Sequence, residues 1–248
     1  MKSRSEVAVC PYCGRRNRLV RRRHSSGVFR CASCKEEIGF NPSDLHFVSE
    51  IQQLIKNLTI LFGIPLAAAF TYAVSPEYEK LSAFVFLFGM TFASICFHEL
   101  FHALAAFIGG DFSVWKQGYL RLSPRKYFVT SGSLLLPGIL FFFTGFFLPG
   151  AAVFIQLHHL RNRFYWAAVY SAGVVANAII LVVVISLLKS GMFDTSHRIT
   201  PLFHTAAYLL LVIIVLNLTL LPGLAGWGIL SSILPKTFLE VAEKASIL

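Results

Sequence analysis

Apolar and polar positions alternate along this chain in long blocks. About fifty polar residues are followed by an uninterrupted apolar or hydroxyl-bearing run from Leu58 to Val74, extended at its start by the more polar 51–57. That run is long enough to be a first transmembrane helix. Ser75-Pro76-Glu77-Tyr78-Glu79-Lys80 then breaks the pattern as a turn. Leu81 to Ile108 predicts a second span, with its polar residues, His98, Glu99 and His102, gathered near its end. The 109–131 stretch is polar again, and Phe164 to Leu188 and Phe203 to Leu221 predict two further spans. Between them and the second span, 132–157 is apolar but interrupted by Pro137-Gly138 and Pro149-Gly150. Two full crossings need about 40 residues, so this stretch reads as a re-entrant hairpin. Broken backbone at membrane depth is tolerated only against protein or water, which places the hairpin beside something functional.

Composition sharpens this picture. Of 248 residues, 56% are apolar and 14% charged, with a mean hydropathy of +0.66, against about 25% charged in soluble domains. A wholly soluble chain, a disordered one and a disulfide-stapled secreted scaffold are excluded as descriptions of the whole. The net charge of +10 is uneven, because residues 1–50 hold ten of the 22 Lys and Arg and five of the 12 Asp and Glu. The first residues are charged and lead straight into a cysteine cluster, so no signal peptide is expected there. Basic residues favour the cytoplasmic side. The basic head and the loop carrying Lys116, Arg121, Arg125 and Lys126 are separated by two crossings, so both are expected in the cytoplasm. The expected architecture is mainly α: a polytopic membrane protein with about four transmembrane helices plus the hairpin, preceded by a small β zinc ribbon. Its three parts are 1–50, a ribbon and basic linker; 51–228, the membrane domain; and 229–248, an interfacial or cytoplasmic tail.

Four of the five cysteines form two pairs, Cys10 with Cys13 and Cys31 with Cys34, in a C-x2-C, x17, C-x2-C pattern. This is the spacing of a four-thiolate structural Zn²⁺ site, with each pair aiming two sulfurs at one point. Two disulfides are the alternative in an oxidising compartment. So short a segment has little core of its own, and metal binding would supply much of its folding energy. Seven arginines lie between the pairs, but only Tyr12 and Phe29 offer stacking surfaces near them. Contact with anionic membrane lipid is therefore expected ahead of nucleic-acid binding, and a cytoplasmic partner of the ribbon stays open.

His98-Glu99-Leu100-Phe101-His102 is an H-E-x-x-H sequence on a predicted helix. Residues four apart share a face, so both imidazoles can reach one Zn²⁺, and Glu99 stands beside them as a proton acceptor for water at the metal. An ionisable trio in a membrane span is expensive unless functional. Downstream, Gly109-Gly110-Asp111 and Gly118-Tyr119-Leu120-Arg121-Leu122-Ser123-Pro124 continue the pattern on the C-terminal side of the motif. With these segments, the chain resembles the site-2 protease family of intramembrane zinc metalloproteases, in a compact bacterial form. Ala172-Gly173-Val174-Val175-Ala176-Asn177 resembles that family's G-P-x-x-N element, and the stretch from Asn217 to Gly226 resembles its N-x-x-x-x-P-x-L-D-G element. The resemblance covers roughly 81–228. It implies a catalytic zinc held by His98, His102 and an Asp of the last element, Glu99 as general base, and Asn177 holding substrate or the developing oxyanion. His98 lies ten residues before the end of its span and Asn177 thirteen after the start of its own, so at ~1.5 Å per residue both lie ~15–20 Å deep and could meet.

Two positions depart from that pattern. Val174 stands in place of Pro, and Ala225 stands where the third zinc ligand is expected. A catalytic zinc ordinarily has three protein ligands and a water, so the chain as written is expected to be inactive or nearly so. Either the substitution inactivates an otherwise normal protease of membrane-anchored proteins, or the chain is a pseudoprotease that binds transmembrane segments, or another residue, Asn217 among them, supplies the ligand. A metal transporter is a weaker reading, because Glu99 has no second intramembrane acid to mark an exit path. Cys96 is expected to be a buried apolar residue, His158 and His159 to be solvated or lipid-facing, and 229–248 to be an interfacial helix.

Overall fold

The computed structural model describes residues 5–9, 16–20, 29–31, 33, 37–38, 47–128, 139, 142, 153–190, 198–221 and 224–234. Cys10, Cys13, Cys34, His197, most of 132–157 and the tail after 234 lie outside the described residues. In the head, β1 (Ser5–Val9) pairs antiparallel with β2 (Arg16–Val20), with Val9 opposite Arg16, and β3 (Phe29–Arg30) pairs with β4 (Glu37–Ile38). The first cysteine pair therefore falls between β1 and β2, and the second between β3 and β4. Cys31 is buried.

Among the described residues, four helices are long and apolar enough to cross a membrane. They are α1 (Phe47–Val74), α2 (Glu79–Gly109), α5 (Arg163–Lys189) and α6 (Thr200–Leu218). Short helices α3 (Ser113–Lys116) and α4 (Pro124–Tyr127) come after α2, and α7 (Ala225–Ile233) comes after α6. The helix limits revise the expected ones. α1 begins at Phe47, so the last residues assigned to the head already belong to it. α6 ends at Leu218 and not Leu221, because Thr219 turns extended and caps the helix. α7 runs across the expected boundary at 228.

Each long helix ends for a local reason. Pro76 starts the 3-10 turn Pro76–Tyr78 that reverses the chain between α1 and α2. Gly110, at φ 110°, closes α2 in the left-handed conformation that glycine adopts without penalty. Asn162 caps α5 by accepting a hydrogen bond from the Tyr165 amide.

α2 is the central element, packing against α1 on one side and α5 on the other. Its small residues Ala93, Ala103 and Ala106 are fully buried and let the neighbours approach. The outer faces of α1, α5 and α6 expose Phe70, Val182 and Val215 among other large apolar side chains. After α2 the chain folds back along that helix. Tyr119, Leu122 and Tyr127 bury against it near Cys96 and Leu100, and the Tyr127 hydroxyl donates to the Tyr119 carbonyl at 2.6 Å. Burial holds the Tyr127 phenol well above its ordinary pKa, so it stays a donor.

Candidate functional site

The H-E-x-x-H residues occupy the middle of the α2–α5 interface. His98 and His102 are one turn apart on α2, and their Nε2 atoms converge to 2.9 Å across Gly173 of α5. A side chain at 173 would overlap both rings, with an added Cβ only 2.5 Å from His102 Nε2. Glycine is thus required by the close approach of the two helices. Each imidazole is held from behind by α5. His102 Nδ1 lies 2.6 Å from the Val169 carbonyl, and His98 Nδ1 lies 3.1 Å from the Asn177 carboxamide. The meeting of His98 with Asn177, expected from helical rise together with the re-entrant reading of 132–157, occurs as direct contact.

The Val169 carbonyl can only accept, so His102 carries its proton on Nδ1 and presents a lone pair at Nε2. Asn177 is fully buried, and its Oδ1 has no partner while Nδ2 faces His98. Turning the carboxamide over gives Oδ1 the His98 Nδ1 proton to accept, which moves the unpartnered position to the Nδ2 N–H group and leaves a second lone pair at His98 Nε2. Two lone pairs 2.9 Å apart repel unless a cation lies between them. Two nitrogens on one tetrahedral zinc are about 3.3 Å apart, a small opening from the spacing seen. The donor chemistry and the backing hydrogen bonds fit a metal ion as two of its ligands. Among the described residues, no group of three His, Cys, Asp or Glu side chains is arranged to hold one.

Glu99 is buried on the neighbouring face. His98, Glu99, Asn177 and Asn217 line a cavity of about 10 Å³ with Ile95, Ile213 and Leu216. That is room for roughly one water molecule and no peptide. Asn217 is held in place by a hydrogen bond from its Nδ2 to the Ile213 carbonyl at 2.9 Å. Ala225 does not line this cavity. It is buried as the first residue of α7, where Gly226 sits against the Leu218 and Thr219 carbonyls and Gly228 lies on the ring of Tyr170. α7 is thereby packed beside the turn of α5 that includes Val169 and Tyr170. Cys96 is fully buried in the apolar core, as expected.

One expectation is overturned. His159 is neither solvated nor lipid-facing, being 1% exposed with Nδ1 3.3 Å from the Asp111 carboxylate. Asp111, itself fully buried, also accepts from the Ser113 amide and hydroxyl and from the Gln156 amide at 2.8 Å. With the Arg161 amide donating to the Gly109 carbonyl, these bonds fix 153–161 alongside the end of α2, where Val153, Ile155 and Leu157 pack on its apolar core. Asp111 was visible in sequence only as part of a resembling motif, and nothing in the pattern pointed to His159 as its partner.

This chain is similar to proteins named as zinc metalloproteases. It is 33% identical over 154 residues to the Mycolicibacterium smegmatis protein named "Putative zinc metalloprotease Rip2", covering 60% of this chain and 58% of that one. Against the protein of the same name from Mycobacterium tuberculosis strain Erdman it is 33% identical over 148 residues, 59% of this chain and 56% of that one. The chain thus spans less than two thirds of the length of these curated relatives. No family model and no solved structure matches it.

Proposed function

We propose that the α2–α5–α6 core is an intramembrane zinc metalloprotease site of the site-2 type, incomplete in this sequence. The observation that carries the proposal is the pair of Nε2 atoms converging at 2.9 Å across Gly173, each backed by a hydrogen-bond partner on α5. The similarity to proteins named as zinc metalloproteases supports it. His98 and His102 would hold the metal, and zinc there supplies Lewis-acid polarisation of a peptide carbonyl. Glu99, which lines the adjoining cavity, takes the proton from water there. Asn177 orients His98 through its carboxamide oxygen, which leaves its N–H group to face the developing oxyanion. A transmembrane substrate helix must unwind to present its carbonyl, and the wall formed by Ile213, Leu216 and Asn217 must move to admit it.

Ala225 supplies neither charge nor donor oxygen at the third ligand position, which leaves the chain as written inactive. The packing of α7 against Tyr170 supports placing residue 225 close to the histidine pair. In the alternative, the same groove binds transmembrane segments without cleaving them; the water-sized cavity with two histidines and no third ligand favours it. The test is cleavage of a membrane-anchored substrate by the chain, by Ala225→Asp and by Ala225→Asp/Glu99→Gln. Cleavage only by Ala225→Asp is expected. Failure of that variant to cleave, with the unmodified chain still capturing the substrate, would establish the binding reading.

The finer architecture belongs to the same proposal. A re-entrant hairpin over 132–157 is supported by Phe128 stacking on Phe92, Phe142 meeting Phe84 farther along α2, and Val153, Ile155 and Leu157 returning to the apolar core at the end of α2. The cysteine pairs, each between two paired strands, support a structural zinc ribbon. The head and the 110–128 loop are proposed to face the cytoplasm, where the arginines meet anionic lipid or a protein partner.

A further inference from the structure

A second site lies away from the histidines, between the first turns of α1 and the loop after α2. Ser49, Glu50 and Gln53 form one wall of a cavity of about 290 Å³, and Arg121, Ser123 and Lys126 form the other. The loop wall is held in a defined shape. Leu122, fully buried, adopts a left-handed φ of 51°, a conformation a leucine holds only when its surroundings impose it. The Asn57 carboxamide donates to the Arg121 carbonyl at 2.8 Å, and the Arg121 guanidinium makes a two-pronged ion pair with Glu50. Glu50 is therefore committed, its charge offset by Arg121. What remains on the cavity wall is the Lys126 ammonium and the Ser123 hydroxyl, neither of which has a protein partner among the described residues.

A net positive cavity with two unused donors is suited to a phosphate group. Its position argues that the phosphate is on a lipid. It opens at the polar start of α1, and two to three turns further along the face that carries Glu50, Gln53 and Asn57 come Ile60 and Ile64, both exposed, which provide an apolar track for acyl chains below the cavity. Basic pockets at helix ends on one side of a bilayer are the usual seats of anionic headgroups. We infer that this cavity binds the phosphate headgroup of an anionic glycerophospholipid, with the acyl chains lying along the Ile60–Ile64 face of α1.

The test uses the full chain purified in a zwitterionic detergent. Retention of dioctanoyl phosphatidylglycerol is read by native mass spectrometry, and the thermal shift is compared with phosphatidylcholine and with inorganic phosphate. Retention of the anionic lipid, a thermal shift absent with phosphatidylcholine, and a loss of about fivefold or more in affinity in Lys126→Gln/Ser123→Ala are expected. Lys189→Gln, at the far end of α5, should bind as the unmodified chain does. Lys126→Glu, a change at an exposed side chain that cannot disturb the core, should abolish retention. Equal binding of phosphatidylcholine, or full retention by both Lys126 variants, would overturn the inference. A thermal shift from inorganic phosphate matching that from the lipid would overturn the lipid assignment and show that the site takes a soluble anion.

Discussion

Gly173→Ala is the smallest change that addresses the geometry of the histidine pair. The added Cβ would lie 2.5 Å from His102 Nε2 and in overlap with His98 Nε2 and Cδ2, whereas ordinary contact needs about 3.4 Å or more. Relief requires either the rings or the helices to separate by about 1 Å, and overpacking of this kind costs roughly 1–3 kcal/mol. The rings cannot retreat freely, since Val169 and Asn177 hold them from behind. A metal site tolerates errors of about 0.2 Å in ligand distance. Zinc affinity at the histidine pair should therefore fall at least tenfold when Gly173→Ala is added to an Ala225→Asp parent, measured by chelator competition on protein whose ribbon cysteines are replaced by serine. Thermal unfolding in detergent should show the accompanying destabilisation. Zinc affinity within twofold of the parent, with unchanged thermal stability, would refute the placement of both imidazoles over this residue.

Other outcomes come from the same structure. Cys10→Ser/Cys13→Ser should remove one tightly held zinc without touching the histidine site; elemental analysis showing full retention would end the ribbon assignment. Asp111→Ala breaks a buried carboxylate's bonds to Ser113, Gln156 and His159 and should destabilise the fold by about 3–5 kcal/mol; a thermal-unfolding loss below about 1 kcal/mol would show that the cluster does not hold 153–161 in place. Cysteines introduced at Arg22 and Arg161 should be labelled from the same side of the membrane. Labelling of position 161 from the opposite side only would require 132–157 to cross fully.

The four long apolar helices were legible because each is an extended apolar run long enough to cross a membrane, and the His98–Glu99–His102 face was legible because helical spacing is local. Even the contact with Asn177 could be reached from helical rise and the parity of crossings. The hidden features depend on neighbours far apart in sequence. Asp111 and His159 are separated by 48 residues, and a histidine beside Arg161 carries no mark of burial. Gly173 looked like one residue of a motif, and only the crossing of α2 and α5 reveals that its missing side chain makes room for the imidazoles. The return of 119–127 along α2 depends on a left-handed Leu122, which no propensity predicts. Asn217 was legible as a candidate ligand; its place in the water-sized cavity comes from the way α6 leans on α2.

The central claim is that His98 and His102 form two-thirds of a zinc site whose third ligand is lost at Ala225. The direct measurement is zinc content and affinity of ribbon-free protein carrying Ala225, Ala225→Asp, or Ala225→Asp with His98→Ala. Weak binding by the first, one tightly held zinc in the second and its loss in the third are the expected results. Equal zinc binding by the first two would contradict the claim, placing the third ligand elsewhere, and zinc retained without His98 would remove the pair from the site.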